Sequence, residues 1–467
     1  MHTSTRGATA SPSRTTQLAF AALLLGMLMA QLDTTIVVAA LPSITADLGS
    51  GGAVAGVTAV YLLTVTVSAP VHGKLGDLLG RRAVFRGTLA LFAAGSLGCA
   101  LAPSMPVLIA ARGIQGLGGG GLVVTAVSAL AQMFTREEMV RRQGHLAGVF
   151  ALSSLAGPPL GGLLAAGPGW RWIFLVNLPL CAAAALLSPA GLPGKAPDRP
   201  RAPFDWAGTV LIAAMGSGVV ALGASESLAR SALGTTAVLV AVTGCAVAFV
   251  RYERRAAAPL IPPSLFRDRA LTRCITSTGL AGVALFGTFT FIPLAVQSGS
   301  GVGNGTTGLL LLALTGGQLV ATSAFAVLAR RHPAMPRWGH VALAAGVVGM
   351  TCLAVTPALH SSPRPLALGV AVAGMALSGA ALGLSMQAYT LIAQGRARPD
   401  QVGATMGALT FARQLGGSLG TAFFGWLVLT APSQRTGLIL ALSVATCVLV
   451  AALATAPRPG DDPADPT

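Results

Sequence analysis

The segment Leu18–Pro42, LAFAALLLGMLMAQLDTTIVVAALP, decides the fold. It is apolar over a length that crosses about 30 Å of hydrocarbon as a helix, and it lacks the alternation of a strand. Arg6 and Arg14 precede it, so it mimics a secretory leader. The apolar run is too long for a leader, and no clear small-residue cleavage site follows, so we read it as a first membrane span. Asp33 stands in its middle. A carboxylate at mid-membrane costs about 2.5–3.5 kcal/mol on insertion scales, and such a residue is rarely idle.

The rest of the chain repeats this pattern. Of 467 residues, 53% are hydrophobic and 9% charged, where a soluble domain carries about 25% charged residues. Apolar blocks are centred near residues 28, 62, 92, 119, 155, 181, 214, 241, 284, 317, 347, 381, 415 and 445. Only helices or closed barrels span lipid, and the blocks show no strand period. The expected class is all-α, a polytopic membrane protein with 14 transmembrane helices.

A net charge of +16 raises the question of nucleic acid. Its distribution answers it. With the N-terminus in the cytoplasm, 24 of the 30 Lys and Arg fall in cytoplasmic segments. Four lie in outer loops (Arg171, Arg230, Arg364 and Arg435) and two within spans (Arg112 and Arg413). This is the positive-inside pattern, so the charge records orientation, with both termini cytoplasmic and no nucleic-acid partner. The six cysteines fall singly in apolar blocks, without metal or disulfide spacing.

Two longer polar segments, Leu192 to Asp205 and Arg251 to Arg273, break a run of short loops and isolate a helix pair. The expected division is a tail over 1–16, a six-helix bundle over 17–191 and a linker over 192–205. Two additional helices follow over 206–250, then a loop over 251–269, a second six-helix bundle over 270–457 and a tail over 458–467. Asp205 is expected to cap the helix that follows it. Gly157-Pro-Pro-Leu-Gly161 and Gly416-Gly-Ser-Leu-Gly420 share the pattern G-x-x-L-G at the fifth position of each bundle. Paired halves of this kind are the usual build of secondary transporters.

Asp33 is the only acidic residue deep in a span. Arg112, in AARGIQGLGGGG, is its natural partner, and the two are expected to share a water-filled cavity between the first and fourth helices. Protonating Asp33 then weakens the pair and lets the helices rearrange; the alternative is a static ion pair. The glycines after Arg112 follow no strand and precede no Gly-Lys-Ser/Thr, which excludes a nucleotide loop and leaves close helix packing. No ATP site or other cofactor is expected, and transport must run on an ion gradient.

The second inner loop reads Gly73-Lys-Leu-Gly-Asp77-Leu-Leu-Gly80-Arg81-Arg82. Gly73 and Gly80 suit a tight turn. Asp77 is expected at the positive N-terminus of another helix, held there by Arg81 and Arg82. The fifth span carries Gly148, Gly157, Pro158, Pro159, Gly161 and Gly162. Its prolines are expected to bend it, and its glycines to pack closely against the other bundle.

The chain resembles the major facilitator superfamily, and within it the fourteen-helix drug:proton antiporters. LDTTIVVAALP, GKLGDLLGRR, ARGIQGLGGGG and GVFALSSLAGPPLGG match four motifs of that branch in order, and FARQLGGSLG matches a later landmark. The resemblance implies two bundles working by alternating access. It carries proton coupling onto Asp33 and Arg112, gating onto Gly73, Asp77, Gly80, Arg81 and Arg82, and the antiport motif onto Gly148 to Gly162. It implies a cell-membrane monomer that exchanges small organic substrates for protons. Val38, Leu78 and Gly56 depart from the pattern, which leaves the polar surroundings of Asp33 thinner and the latch weaker than the family implies.

Tyr61, Phe289, Gln297, Gln318, Gln387, Tyr389, Arg413 and Trp426 are the polar or aromatic groups expected to face the central cavity. Arg413 serves either an anionic group on the substrate or the joining of helices. One proton entering against a neutral substrate gains about 2.3 kcal/mol per 100 mV, a gradient of roughly 50-fold. The lone membrane acid favours neutral, zwitterionic or singly cationic amphipathic substrates. The leading expectation is proton-driven export of antibiotics or other drugs. A nutrient symporter and an integral membrane enzyme are the alternatives. An enzyme needs clustered side chains at one membrane face, whereas His2, His72, His145, His332, His340 and His360 are scattered.

Overall fold

The computed structural model describes residues 13–49, 54–188, 192, 205–224, 231–257, 259–288, 291, 304–329, 331, 334–361, 364–458 and 460–461. Among them the regular structure is helical. The first group comprises α1 (Arg14–Leu48), α2 (Val54–Leu79), α3 (Arg81–Ala100), α4 (Met105–Met133) and α5 (Arg136–Ala166), then the short α6 (Trp172–Leu175) and α7 (Asn177–Leu187). A hairpin of α8 (Trp206–Ala224) and α9 (Ala232–Glu253) follows. The last group is α10 (Arg269–Ala281), which continues as a π-helical turn over Gly282–Phe286, α11 (Asn304–Leu328), α12 (Met335–Val355), α13 (Arg364–Arg396), α14 (Val402–Thr430) and α15 (Gln434–Thr455).

Among the described residues, nine helices are long and apolar enough to cross a membrane. They contain nine of the fourteen predicted centres. The other five centres also lie in helices. The segments Trp172–Leu187, Trp206–Gly218 and Leu312–Phe325 are shorter apolar stretches. The helix through residue 284 is interrupted by the π-helical turn, and α14 carries Arg413 and Gln414 at its centre.

Local chemistry sets the helix ends. The Ser13 hydroxyl accepts the Thr16 N–H to open α1. Thr135 and Glu138 form a reciprocal capping box at the start of α5. Asp205 accepts the Gly208 N–H at 2.7 Å, capping α8 as expected. Between α2 and α3 the chain turns at Gly80 with φ +86°, a conformation that glycine adopts without strain.

Small residues set the packing. In α4, a Cβ on Gly116 meets the Tyr61 carbonyl of α2 at 2.6 Å, and one on Gly118 meets the Phe92 Cα of α3 at 2.7 Å. The glycine run therefore lets α4 lie close to α2 on one side and α3 on the other, as the sequence implied. The two G-x-x-L-G segments make the same kind of contact. Gly157 and Gly161 of α5 abut Thr35 and Ile36 of α1. Gly416 and Gly420 of α14 abut Gly279 and Val283 of α10. In each group the fifth helix lies on the first.

The two groups meet along α2–α14 and α5–α11, with α4 also touching α14. The hairpin packs through α8 on both α2 and α14, so it borders one of these seams.

Candidate functional site

Asp33 and Arg112 meet. An Arg112 Nη1 hydrogen donates to Asp33 Oδ2, and both side chains are fully inaccessible. Gln115, one turn beyond Arg112 on the same face of α4, completes the pair: its Oε1 accepts from Arg112 Nη1 at 2.7 Å, and its Nε2 donates to Asp33 Oδ1 at 2.8 Å. Gln115 Nε2 also reaches Ser96 Oγ of α3 at 2.8 Å, and Asn177 of α7 donates to that hydroxyl at 3.4 Å. Gly95 makes this possible, because a Cβ there collides with the Gln115 backbone. Arg112 Nε donates to the Val57 carbonyl at 3.3 Å, and the Tyr61 ring stacks on the guanidinium at 4.0 Å.

This geometry corrects two expectations. The pair does not border a water-filled cavity: it is sealed inside the first group, and neither residue lines the central cavity described below. Nor are its polar surroundings thin. Gln115 and Ser96 supply what Val38 does not, and the Val38 side chain itself lies outside the described residues. The sequence carried a signal for Gln115, its i+3 spacing from Arg112. Ser96 and Asn177 needed the fold.

The expected latch forms where the two groups meet. Asp77 Oδ1 accepts the Gly403 N–H at 2.9 Å and Oδ2 accepts the Ala404 N–H at 2.8 Å. Its carboxylate thus caps the N-terminus of α14. Arg81 pairs with Asp77 and donates to the Gly73 carbonyl at 3.4 Å. A Cβ on Gly73 collides with the Gly403 carbonyl, so glycine permits the approach of α2 to α14. Among the described residues Arg81, not Arg82, forms the ion pair with Asp77, and the buried Arg82 Nε has no hydrogen-bond partner. At the opposite end of α1, Asp47 accepts from Arg171 at 2.7 Å and from the Trp170 indole at 3.0 Å. The Arg171 hydrogen bond holds the Asp47 carboxyl below the usual carboxylate range.

The α5 motif divides. Gly157 and Gly161 make close contacts with α1 rather than with the other group, because the G-x-x-L-G face of α5 turns inward to its own group. A Cβ on Gly148 or Gly162 meets nothing within 4 Å. Pro159 is exposed, and the Pro158 side chain lies outside the described residues.

Between the groups lies a cavity of about 220 Å³ bounded by Gln31 and Thr34 of α1, Tyr61 of α2, Phe150 of α5, Met386 of α13 and Arg413 of α14, among others. Tyr61 thus lines the cavity on one face and stacks on Arg112 with its ring. Gln387 lines an adjoining cavity of about 40 Å³. Three other expected lining residues do not take that place. Tyr389 is buried against α12, its hydroxyl donating to the Gly339 carbonyl at 3.4 Å, and it borders only a minor void. Gln318 is buried where α11 packs on Gly379 and Gly383 of α13. Trp426 is 40% exposed and stacks on Phe423 away from the cavity. Phe289 and Gln297 fall outside the described residues. The sequence did not single out Gln31, Thr34, Phe150 or Met386 as lining, because no local pattern separates a cavity face from a packed one. Among the described residues no group of three or more His, Cys, Asp or Glu side chains converges as a metal site would require.

The model of the Major Facilitator Superfamily matches residues 23–421. The chain is 35% identical over 429 residues to an MFS-type transporter of Mycobacterium tuberculosis (strain ATCC 25618 / H37Rv), covering 90% of this chain and 60% of that relative. It thus spans about three fifths of the length of the first relatives it matches. It is 32% identical over 413 residues to the multidrug transporter protein MdtP of Bacillus subtilis, covering 86% of this chain and 73% of that protein. Two solved structures share the fold at low identity. One is the human organic anion transporter MFSD10, with a TM-score of 0.69, 16% identity and 95% and 100% of the two chains covered. The other is the proton:xylose symporter XylE, with a TM-score of 0.65, 14% identity and 94% of each chain covered. Their differing cargoes tie the likeness to fold alone. With its motifs, its apolar helices and this match over most of its length, the chain belongs to the Major Facilitator Superfamily, a family of multi-pass membrane transporters rather than enzymes.

Proposed function

We propose that this protein is a proton-driven antiporter that exports antibiotics or other amphipathic organic compounds by alternating access. It is a monomer of fourteen spans in the cell membrane, with both termini cytoplasmic, two six-helix bundles and the α8–α9 pair between them, and it needs no cofactor beyond the proton gradient. The observation that carries this reading is the sealed Asp33–Arg112–Gln115 cluster with Tyr61 between it and the cavity. A proton arriving at Asp33 removes the charge that balances Arg112. The guanidinium then seeks other partners, and Tyr61, which stacks on it and donates to the Ala30 carbonyl at 3.0 Å, passes the change to the cavity wall. Asp77 and Arg81 hold the cytoplasmic seam closed in one state and release it in the other. The multidrug relatives support drugs as cargo.

The test uses everted vesicles with an acid lumen. Wild-type protein should accumulate a fluorescent drug as protons leave, and Asp33→Asn should bind the drug yet fail to concentrate it. Proton-linked accumulation by the Asn variant at the wild-type rate would falsify the coupling role.

A further inference from the structure

Arg413 differs from every other residue around the central space. It borders the cavity of about 220 Å³ and both smaller ones beside it, and among the described residues it is the sole charged one in the three linings. Among the described residues no hydrogen bond, ion pair or ring engages its guanidinium. Asp33, the one acid in a described apolar span that lies near the same depth, is screened behind Tyr61 and already held by Arg112 and Gln115. A cation kept at mid-membrane without an internal counter-ion is costly unless a ligand supplies the negative charge. The surroundings suit such a ligand. Thr410, Gln414 and Gln387 offer neutral hydrogen-bonding groups beside the guanidinium, and Met386, Phe150 and Val123 offer apolar surface for the rest of the molecule.

We propose that Arg413 is the anion-binding residue of the transport cavity, and that the compounds exported carry a carboxylate, as amphipathic acids or zwitterions. The inference rests on the exporter reading; of the neutral, zwitterionic and singly cationic substrates that the lone membrane acid favoured, it keeps the zwitterions and adds acids. The planar guanidinium fork matches a carboxylate in a bidentate pair, which neither a neutral compound nor a monocation provides. Export of a monoanion against one entering proton moves two charges, so pumping of an acid responds to membrane potential as well as to the pH gradient.

The experiment measures binding of aromatic amphipathic carboxylates, each beside its own methyl ester, to the full chain in nanodiscs. Wild type should bind each acid more tightly than its ester. Arg413→Gln should weaken the acids by about 10- to 100-fold, leave the esters unchanged, and be partly rescued by Arg413→Lys. Esters that bind wild type as tightly as the acids overturn the proposal, and that comparison needs no variant to fold. Acids that bind Arg413→Gln like wild type overturn it too. Proteoliposomes with a proton gradient separate the two readings. Acids that bind through Arg413 but never move against the gradient leave the anion site standing and remove the exporter. Acids and esters pumped alike by wild type and by Arg413→Gln keep the exporter and remove the anion site.

Discussion

Two arginines sit deep in apolar helices, one in each helical group, and their surroundings are opposite. Arg112 of α4 is fully buried, paired with Asp33, bonded to Gln115 and the Val57 carbonyl, and stacked on Tyr61. Arg413 of α14 is partly exposed to the central cavity, and its charge is unanswered by the described residues. The same side chain therefore does two kinds of work. Where the fold supplies the counter-charge, the arginine ties α4 to α1 and α2. Where the described residues supply none, the arginine borders the central cavity, the place proposed above for an anionic ligand. A buried ion pair is weak evidence for stability in itself, but removing one partner strands the other and is costly.

The comparison breaks most easily at Arg112. Arg112→Ala strands the Asp33 carboxylate and should lower stability by about 3–5 kcal/mol, read as thermal unfolding in nanodiscs. Asp33→Asn combined with Arg112→Gln should recover most of that loss while transport stays absent. A single Arg112→Ala variant as stable as wild type removes the distinction drawn here.

The seam between the groups comes next. Asp77→Asn keeps the shape of the latch but removes the charge that pairs Arg81 and caps α14. It should weaken closure by about 1.5–3 kcal/mol, seen as a wider spin-label distance between α2 and α14. Unchanged distances show that close packing at Gly73 and Gly403 closes the seam without help from charge.

A smaller effect tests whether the two groups are built alike. Gly157→Ala and Gly416→Ala both force a Cβ onto the first helix of their group, and each should destabilise by about 1–3 kcal/mol. Gly148→Ala and Gly162→Ala meet open space and should be neutral or gain up to about 1 kcal/mol of helix propensity. A uniform response across the four alanines contradicts the packing difference.

The smallest expected change is at Arg413. Arg413→Gln should shift stability by less than about 1 kcal/mol, because no described internal partner is lost. A loss comparable to that of Arg112→Ala makes Arg413 structural and returns it to the role of joining helices.

Much of this was legible in the residues. Asp33 and Arg112 announced each other, since each is an isolated charge in an apolar helix and lipid leaves few ways to satisfy one. Asp77 was legible as a helix cap because a carboxylate and two glycines in a short turn suit a helix N-terminus. The small residues of α4 were legible as packing. Trp426, Tyr389 and Gln318 were misplaced for one reason: sequence shows that a polar or aromatic group lies in a span, but not which face of the helix it occupies once neighbours arrive. The glycines of α5 were assigned to the wrong neighbour for the same reason.

The sequence by itself determined that the chain is helical and membrane-spanning, and that its charges must be paired or functional, because hydrocarbon leaves backbone and charge no solvent to fall back on. Only the tertiary structure decided which charges meet. It put Gln115 and Ser96 around Asp33 and Arg112, turned Tyr61 between them and the cavity, and set Arg413 in the cavity wall, because helix rotation and close approach are set by packing between segments far apart in the chain.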